Sequence, residues 1–267
     1  MRYIVDHDLH IHSYLSPCSG DEAETPEKIL SYAKSYGLKR VCITDHFWDE
    51  DVPGASPWYK KQSFSKISKS LPLPQDPEVK LLFGCEAELD RHLRLGMTRE
   101  RFDDFDFVVV STTHLQMRGF TISEEDASRN ATRAARYVDR LDAVLDMDLP
   151  FYKTGIAHLT HFLISNKTWG DHMAVLDMIP DSEFLRIFSR AARLGVGIEL
   201  NFRLDSYDTC DVERVLRPYR IARACGAKFY FGSDAHHPDD MDGAVANFNK
   251  IVDMLELKEC NKFDLAR

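Results

Sequence analysis

The sequence predicts an α/β fold whose parallel strands close into a barrel, and three observations carry that expectation. Short β-rich runs alternate with amphipathic helical patterns along the whole chain, the signature of a parallel sheet covered by helices. Seven such strand positions recur without a glycine-rich phosphate loop, which favours a closed barrel over an open dinucleotide-binding sheet. The length of 267 residues matches the roughly 250 of a single (β/α) barrel, and no domain boundary interrupts residues 1–267.

Strands are expected at Ile4–His10, Arg40–Thr44, Lys80–Glu86, Asp106–Ser111, Lys153–His158, Val196–Asn201 and Lys228–Gly232. The helices between them carry their own punctuation. Thr25-Pro26-Glu27 supplies an N-cap and a proline in the first turn, Ile29, Leu30, Ala33 and Tyr36 form the apolar stripe, and Gly37 ends the helix. Ser123 is placed to cap a long helix whose stripe is Ala127, Ala131, Ala134, Val138, Leu141 and Leu145. Phe184, Ile187, Phe188, Ala191 and Leu194 form another stripe, closed by Gly195. Further helices are expected over Asp211–Cys225, broken or restarted at Pro218, and over Gly243–Leu255. Phe47–Val79 holds five of the eleven prolines with Trp48, Trp58 and Tyr59, and reads either as a surface loop or as a lid over a site.

Composition narrows the function. Lys and Arg number 34 against 43 Asp and Glu, a net charge of −9, so a nucleic-acid backbone is not the expected partner. No apolar run approaches the ~18 residues of a membrane span. The first residues carry acids where a signal peptide needs an apolar stretch, and the scattered cysteines contain no Cys-x-x-Cys. A cytoplasmic protein with reduced thiols is therefore expected.

Eleven histidines are the more informative count. Strand one runs into Asp8-Leu9-His10-Ile11-His12, strand two into Thr44-Asp45-His46, and strand three into Gly84-Cys85-Glu86. Thr113-His114 follows strand four, His158 ends strand five, Glu199-Leu200-Asn201 ends strand six, and Ser233-Asp234-Ala235-His236 follows strand seven. Every predicted strand thus delivers a ligand-type or amide side chain at its C-terminal end, where barrel enzymes build their sites. Period-two spacing puts His10 and His12 on one side of an extended chain, and Asp234 and His236 repeat the pattern. Glu86 offers two oxygens and suits a bridge between two cations, a pair that lowers the pKa of a shared water. One histidine at a strand end is more often a hydrogen-bonded core or surface residue than a ligand, and His-x-His alone is weak. Such residues at consecutive strand ends are not a chance placement. A structural zinc would want clustered, cysteine-rich ligands, which this chain lacks.

His10-x-His12, Thr44-Asp45-His46, Gly84-x-Glu86, His114, His158 and Gly232-Ser233-Asp234-Ala235-His236 together resemble the motif series of the polymerase and histidinol phosphatase (PHP) family. The resemblance runs from Asp8 to His236 and implies a distorted seven-stranded (β/α) barrel, TIM-barrel-like, that hydrolyses phosphoesters with two or three divalent ions of zinc, manganese or iron. It implies that His10, His12, Glu86 and Asp234 hold one metal, and Glu86, His114 and His158 a second. His46 and His236 would hold a third with a ligand from the loop after His12. The histidinol phosphatase branch typically places a histidine there, and Cys18 stands in its place. Cys18 is either a thiolate ligand, making a softer, zinc-preferring site, or a passive loop thiol, with the third metal weak or held through Asp21. The second reading is preferred, because a hard phosphate-handling site gains little from a thiolate.

Arg203, in Glu199-Leu200-Asn201-Phe202-Arg203, is similar in place to a substrate-phosphate arginine of that branch, with Asn201 beside it and Arg118 as a further substrate-binding candidate. Asp8 and Asp45 are expected to orient ligating imidazoles. His161 and His237 are close enough to serve as leaving-group acid, but a surface position or a place behind the ligands is the preferred reading for both. The expected activity is a phosphatase acting on a small phosphomonoester such as histidinol phosphate, with Glu86, Asp234 and Arg203 at the reacting phosphate. The alternatives are a phosphodiesterase or nuclease on the same centre, and a non-catalytic metal-binding regulatory barrel. An amidohydrolase is disfavoured, because no position for a carboxylated lysine is evident. Oligomeric state has no signature in the sequence.

Overall fold

Parallel strands do alternate with helices, and they curl into a nearly closed barrel. The computed structural model describes residues 1–265 except 166 and 208, with the side chains in that span other than those of 205, 209 and 210. The strands are β1 (His7–Ile11), β2 (Arg40–Ile43), β3 (His46–Phe47), β4 (Lys80–Glu88), β5 (Phe107–Ser111), β6 (Thr154–Ala157), β7 (Gly197–Leu200) and β8 (Lys228–Phe231). Seven of them follow one another in the order β1-β2-β4-β5-β6-β7-β8, and the two-residue β3 pairs with β4 beyond the end of β2. All the ladders are parallel.

The distortion lies at the seam and at a bulge. β1 and β8 meet only at their C-terminal rim, through an Ile11–Ala235 bridge, the Asp234 N–H on the His10 carbonyl (2.8 Å) and the His12 N–H on the Ala235 carbonyl (2.9 Å). Below that point the Phe231 N–H donates to His7 Nε2 (3.1 Å), so a side chain replaces the missing ladder. The β1–β2 register shifts between Asp8 and Ile11, at the residues that carry His10. Leu9, Cys42, Leu82, Phe107, Val109, Ala157 and Tyr230, contributed by successive strands, form the inner core, with Phe263 of the C-terminal segment packed on it.

The helices are α1 (Pro26–Ser35), α2 (Phe64–Ile67), α3 (Asn130–Asp146), α4 (Trp169–Asp177), α5 (Asp181–Leu194), α6 (Thr209–Ala224) and α7 (Ala244–Met254). Their buried faces, such as Phe184, Ile187, Phe188 and Ala191 of α5, form the larger core between helices and sheet. Thr25 caps α1 as expected, accepting from the Lys28 N–H, and Gly195 ends α5 at φ 76°, a conformation that favours glycine.

Four elements depart from expectation. β1 starts at His7, because the Tyr3 N–H instead pairs with the Leu257 carbonyl (3.0 Å). Ser123 caps only a short turn, accepting from the Asp126 N–H (3.0 Å), and α3 begins at Asn130. α6 runs unbroken through Pro218, since Val215, Leu216, Tyr219 and Ala222 bury its face on both sides of the lost hydrogen bond. α4, capped by Thr168, was not anticipated, its glycine and buried His172 blurring the apolar period. Within 47–79, Trp48 is buried with its indole N–H on the Val52 carbonyl (2.8 Å), and α2 is flanked by short 3-10 turns at Tyr59–Lys61 and Ser68–Ser70. Among the described residues no helix is long and apolar enough to cross a membrane.

Candidate metal centre at the strand ends

Apart from Cys18, in the loop before α1, the expected ligands stand toward the C-terminal ends of strands or in the residues just past them. His10 is on β1, His46 on β3 and Glu86 on β4; His12, His114, His158, Asp234 and His236 follow β1, β5, β6 and β8. His158 and Asp234 adopt left-handed backbone, φ 31° and 54°. Such conformations cost about 1–3 kcal/mol each and persist where surrounding contacts over-determine them. Here Glu199 Oε2 accepts from the His158 N–H (2.7 Å), and the His10 carbonyl accepts from the Asp234 N–H.

The donor atoms converge in overlapping groups: His10, His12 and Asp234; Glu86, His114 and His158; and His12, Cys18, His46 and His236. Glu86 lies at their centre. Its Oε1 is 3.1 Å from His158 Nε2 and 3.8 Å from His114 Nε2. Its Oε2 is 2.8 Å from His46 Nδ1, 3.5 Å from His12 Nε2 and 3.7 Å from His10 Nε2.

The far sides of the imidazoles fix which nitrogen faces inward. His10 Nδ1–H donates to Glu199 Oε1 (2.7 Å), His114 Nδ1–H to Glu88 Oε2 (2.8 Å) and His236 Nδ1–H to the Asp234 carbonyl (2.7 Å), all acceptors that carry no proton to give. His12 Nδ1–H donates to Ser16 Oγ (2.9 Å), whose own proton goes to Asp45 Oδ1 (2.7 Å). His158 Nδ1 lies 2.6 Å from Thr113 Oγ1. In the neutral tautomers the bare Nε2 atoms of His10 and His12 then face one another at 3.2 Å, with Asp234 Oδ1 3.4 and 3.0 Å away. Lone pairs and carboxylate oxygens at that spacing require a cation between them. Glu86 Oε2 and His46 Nδ1 are likewise buried, and they meet at 2.8 Å without the geometry of a hydrogen bond. The residues fit divalent metal ions, with the remote nitrogens held by oxygens as ligating histidines require.

Electrostatics express the same demand. Burial opposes ionisation of Glu86 and Asp234, but the surrounding imidazoles outweigh it and hold both carboxylates well below their usual range. Burial also lowers His10 and His46, yet Glu199 and Asp234 raise the first well above its usual value and Glu86 the second. His12 is held well below its usual value by burial and by neighbouring His236 and His46. Burial raises the Cys18 thiol, but hydrogen bonds with His236 and His46 prevail and bring it to about 7. Positive charge collects here as protons, which divalent ions would displace.

The oxygens behind the ligands are not all those expected. Asp45 reaches His12 only through Ser16, and Asp8 accepts from Tyr32 Oη–H (3.0 Å) and the Ser233 N–H (2.9 Å) rather than from an imidazole. Glu199 and Glu88 take that role. Glu88 is itself held by buried Arg140 (2.5 Å) and by Tyr59 Oη–H (3.1 Å). Glu88 shares a period-two face with Glu86, and Glu199 ends a strand, so both had a local signal; Arg140, in the middle of α3, had none. Gly232 leaves room for the Glu199–His10 pair, since a Cβ there would lie 2.2 Å from Glu199 Oε1.

Beside this cluster opens a cavity of about 390 Å³, lined by Cys18, His46, Glu86, His114, Asp234 and His236 and by Trp58, Tyr59, Gln116, Met117, His161 and Leu163. Burial, with His158 alongside, brings His161 to about 3, so it stands as a neutral imidazole and not as an acid at neutral pH. Asp21 is not among the clustered donors; it faces exposed His237. Arg203, Asn201 and Arg118 do not line this cavity. Arg203 and Asn201 line a separate depression beside the start of α7, where the Arg203 guanidinium donates to the Asp240 carbonyl (2.7 Å). Arg118 is exposed and pairs with Glu124. Cys18, Cys42, Cys85, Cys225 and Cys260 are free thiols, and the Cys210 side chain lies outside those described.

Among solved structures, the chain is similar to histidinol phosphate phosphatase from Lactococcus lactis subsp. lactis Il1403, a crystal structure complexed with zinc, L-histidinol and phosphate. The TM-score is 0.58 at 18% identity, covering 97% of this chain and 98% of that one. A chain in the cryo-EM structure of archaeal ribonuclease P with mature tRNA is more distant, at 14% identity and a TM-score of 0.35, covering 93% and 91%. No curated protein matches the chain in sequence. The PHP domain model matches residues 8–202, which contain His10, His12, His46, Glu86, His114 and His158 on the fold just described, and the chain belongs to the PHP family.

Proposed function

We propose that the protein is a metal-dependent phosphomonoesterase acting on a small phosphorylated substrate. The carrying observation is the placement of Glu86, one oxygen toward His158 and His114 and the other toward His46, His12 and His10, which suits a carboxylate shared between cations. His10, His12, Glu86 and Asp234 would hold one ion, and Glu86, His114 and His158 a second. His46 and His236 with Cys18 would hold a third. Cys18 is favoured over Asp21 because its donor atom lies within the cluster, and a thiolate makes zinc the preferred ion there. When bound, the ions supply Lewis-acid stabilisation of the phosphoryl charge and a nucleophile from water at neutral pH.

The chain's own residues do the rest. Glu199, Glu88 and Ser16 keep the inward nitrogens bare. Trp58, Met117 and Leu163 give the cavity apolar surface, and through Trp58 residues 47–79 contribute to its lining. A volume of about 390 Å³ suits a small ester. Among the described lining residues there is no Lys or Arg to follow a polynucleotide backbone, which supports a monoester over a nuclease substrate. That the similar phosphatase holds L-histidinol and phosphate supports a small phosphorylated substrate.

The test is metal analysis of the purified protein alongside hydrolysis of matched aryl phosphate monoesters and diesters. Monoester hydrolysis with at least two metal equivalents is expected. Diester hydrolysis alone would point to a phosphodiesterase, and tight metal with neither activity to a binding barrel.

A further inference from the structure

Half of the cavity's described lining residues are side chains that metal binding leaves unused. Trp58, Met117 and Leu163 are each half-buried and give the space apolar surface. The Trp58 indole meets His46 and Tyr59 edge-on, at centroid distances of 5.0 and 4.7 Å and angles of 69° and 82°, so its face has a set orientation. The polar side chains beside them, Tyr59, Gln116 and His161, are uncharged. Gln116 Oε1 is buried with no hydrogen-bond partner. His161 Nδ1 accepts from the Leu163 N–H (3.2 Å), so the neutral ring carries its proton on Nε2 as a donor. Among the described lining residues the only carboxylates are Glu86 and Asp234, both in the metal-ligating groups, and none is a Lys or Arg.

We propose that this cavity selects phosphate monoesters of uncharged, flat, largely apolar alcohols. The inference rests on the phosphomonoesterase reading, in which the ions take the phosphoryl charge and the alcohol meets the remaining lining. A ring against Trp58, Met117 and Leu163 gains about 25 cal/mol for each Å² of apolar surface it covers. An ammonium on the alcohol would lose its water with Glu86 and Asp234, the only carboxylates among the described lining residues, already engaged by the ions, and a carboxylate would find no Lys or Arg there.

The test compares benzyl phosphate, O-phosphoethanolamine and 2-phosphoglycolate on the zinc-loaded protein; all three release an alkyl alcohol, so chemical leaving ability is nearly matched. We expect kcat/KM for benzyl phosphate to exceed the other two by roughly tenfold or more. Trp58→Ala should raise KM for benzyl phosphate and narrow that ratio, and Gln116→Glu should shift preference toward O-phosphoethanolamine. Calorimetric binding of benzylphosphonate against 2-aminoethylphosphonate reads the same selectivity without turnover. Equal or better binding or hydrolysis of the amine, or an unchanged ratio in Gln116→Glu, overturns the proposal. Tight, selective benzylphosphonate binding without hydrolysis of any monoester would support the selectivity while overturning the phosphomonoesterase reading.

Discussion

Glu199 offers the sharpest test of how the centre is built. Its two oxygens serve two donors, His10 Nδ1–H and the His158 backbone N–H, each at 2.7 Å, and it is fully buried. Glu199→Gln keeps the shape but leaves one acceptor and one donor on the side chain. The backbone N–H of His158 cannot change its role, so the Gln oxygen must turn to it and the NH₂ to His10. His10 can meet that NH₂ only by giving up its Nδ1 proton, which places the proton on Nε2, the atom facing His12 and Asp234. A protonated nitrogen does not bind metal. Loss of an oxygen partner behind a ligating histidine typically costs 10–100-fold in metal affinity, about 1.4–2.8 kcal/mol, and the tautomer switch puts this case at the upper end. The assay is competition for zinc against a chromophoric chelator, on protein whose circular dichroism matches the wild type. Loss at the first site with the Glu86–His114–His158 site retained is expected. Zinc affinity within about threefold of wild type at both sites would refute the tautomer argument.

Other changes test neighbouring parts of the structure. Glu86→Gln should weaken two metal equivalents together and His114→Ala mainly one, measured by equilibrium dialysis with elemental analysis. Cys18→Ser should remove the third equivalent of zinc and the thiolate-to-metal absorption of the cobalt-substituted protein, whereas Cys18→His should restore the metal without the absorption. Gly232→Ala would push a Cβ to 2.5 Å from His10 Cβ, and overpacking of this kind costs about 1–3 kcal/mol, read by urea unfolding of the metal-free protein. His172 is buried, donating from Nε2 to the Thr160 carbonyl with Nδ1 unpartnered, and burial lowers its pKa to about 4. The unfolded chain takes that proton near its ordinary value of 6.5, so stability should fall as pH drops from about 6.5 toward 4. His172→Gln should flatten that slope in pH-dependent urea unfolding.

The fold class and the cluster of His, Glu and Asp side chains at the rim were legible in the sequence because both depend on local periodicity. Strand–helix alternation needs only the chain's own neighbours, and His10-x-His12 shares a face wherever its strand is placed. A parallel barrel sends every strand's C-terminal end to one rim, so knowing where strands end was enough to collect Glu86, His114, His158 and Asp234. The start expected for α3 and the break expected in α6 failed where burial overrode a local cap and a proline. α4 was missed because its glycine and buried His172 blur the apolar period. Partner choice across the barrel was decided by tertiary structure alone. Glu199 meets His10 across 189 positions, and Arg140 meets Glu88 across 52, contacts that follow from strand order and helix packing. Arg203 follows a strand like a site residue, yet the turn before α7 draws its guanidinium to Asp240 and away from the cavity. Trp58, Gln116 and His161 line one cavity because three separate loops rise from the same rim, a convergence that no spacing along the chain encodes.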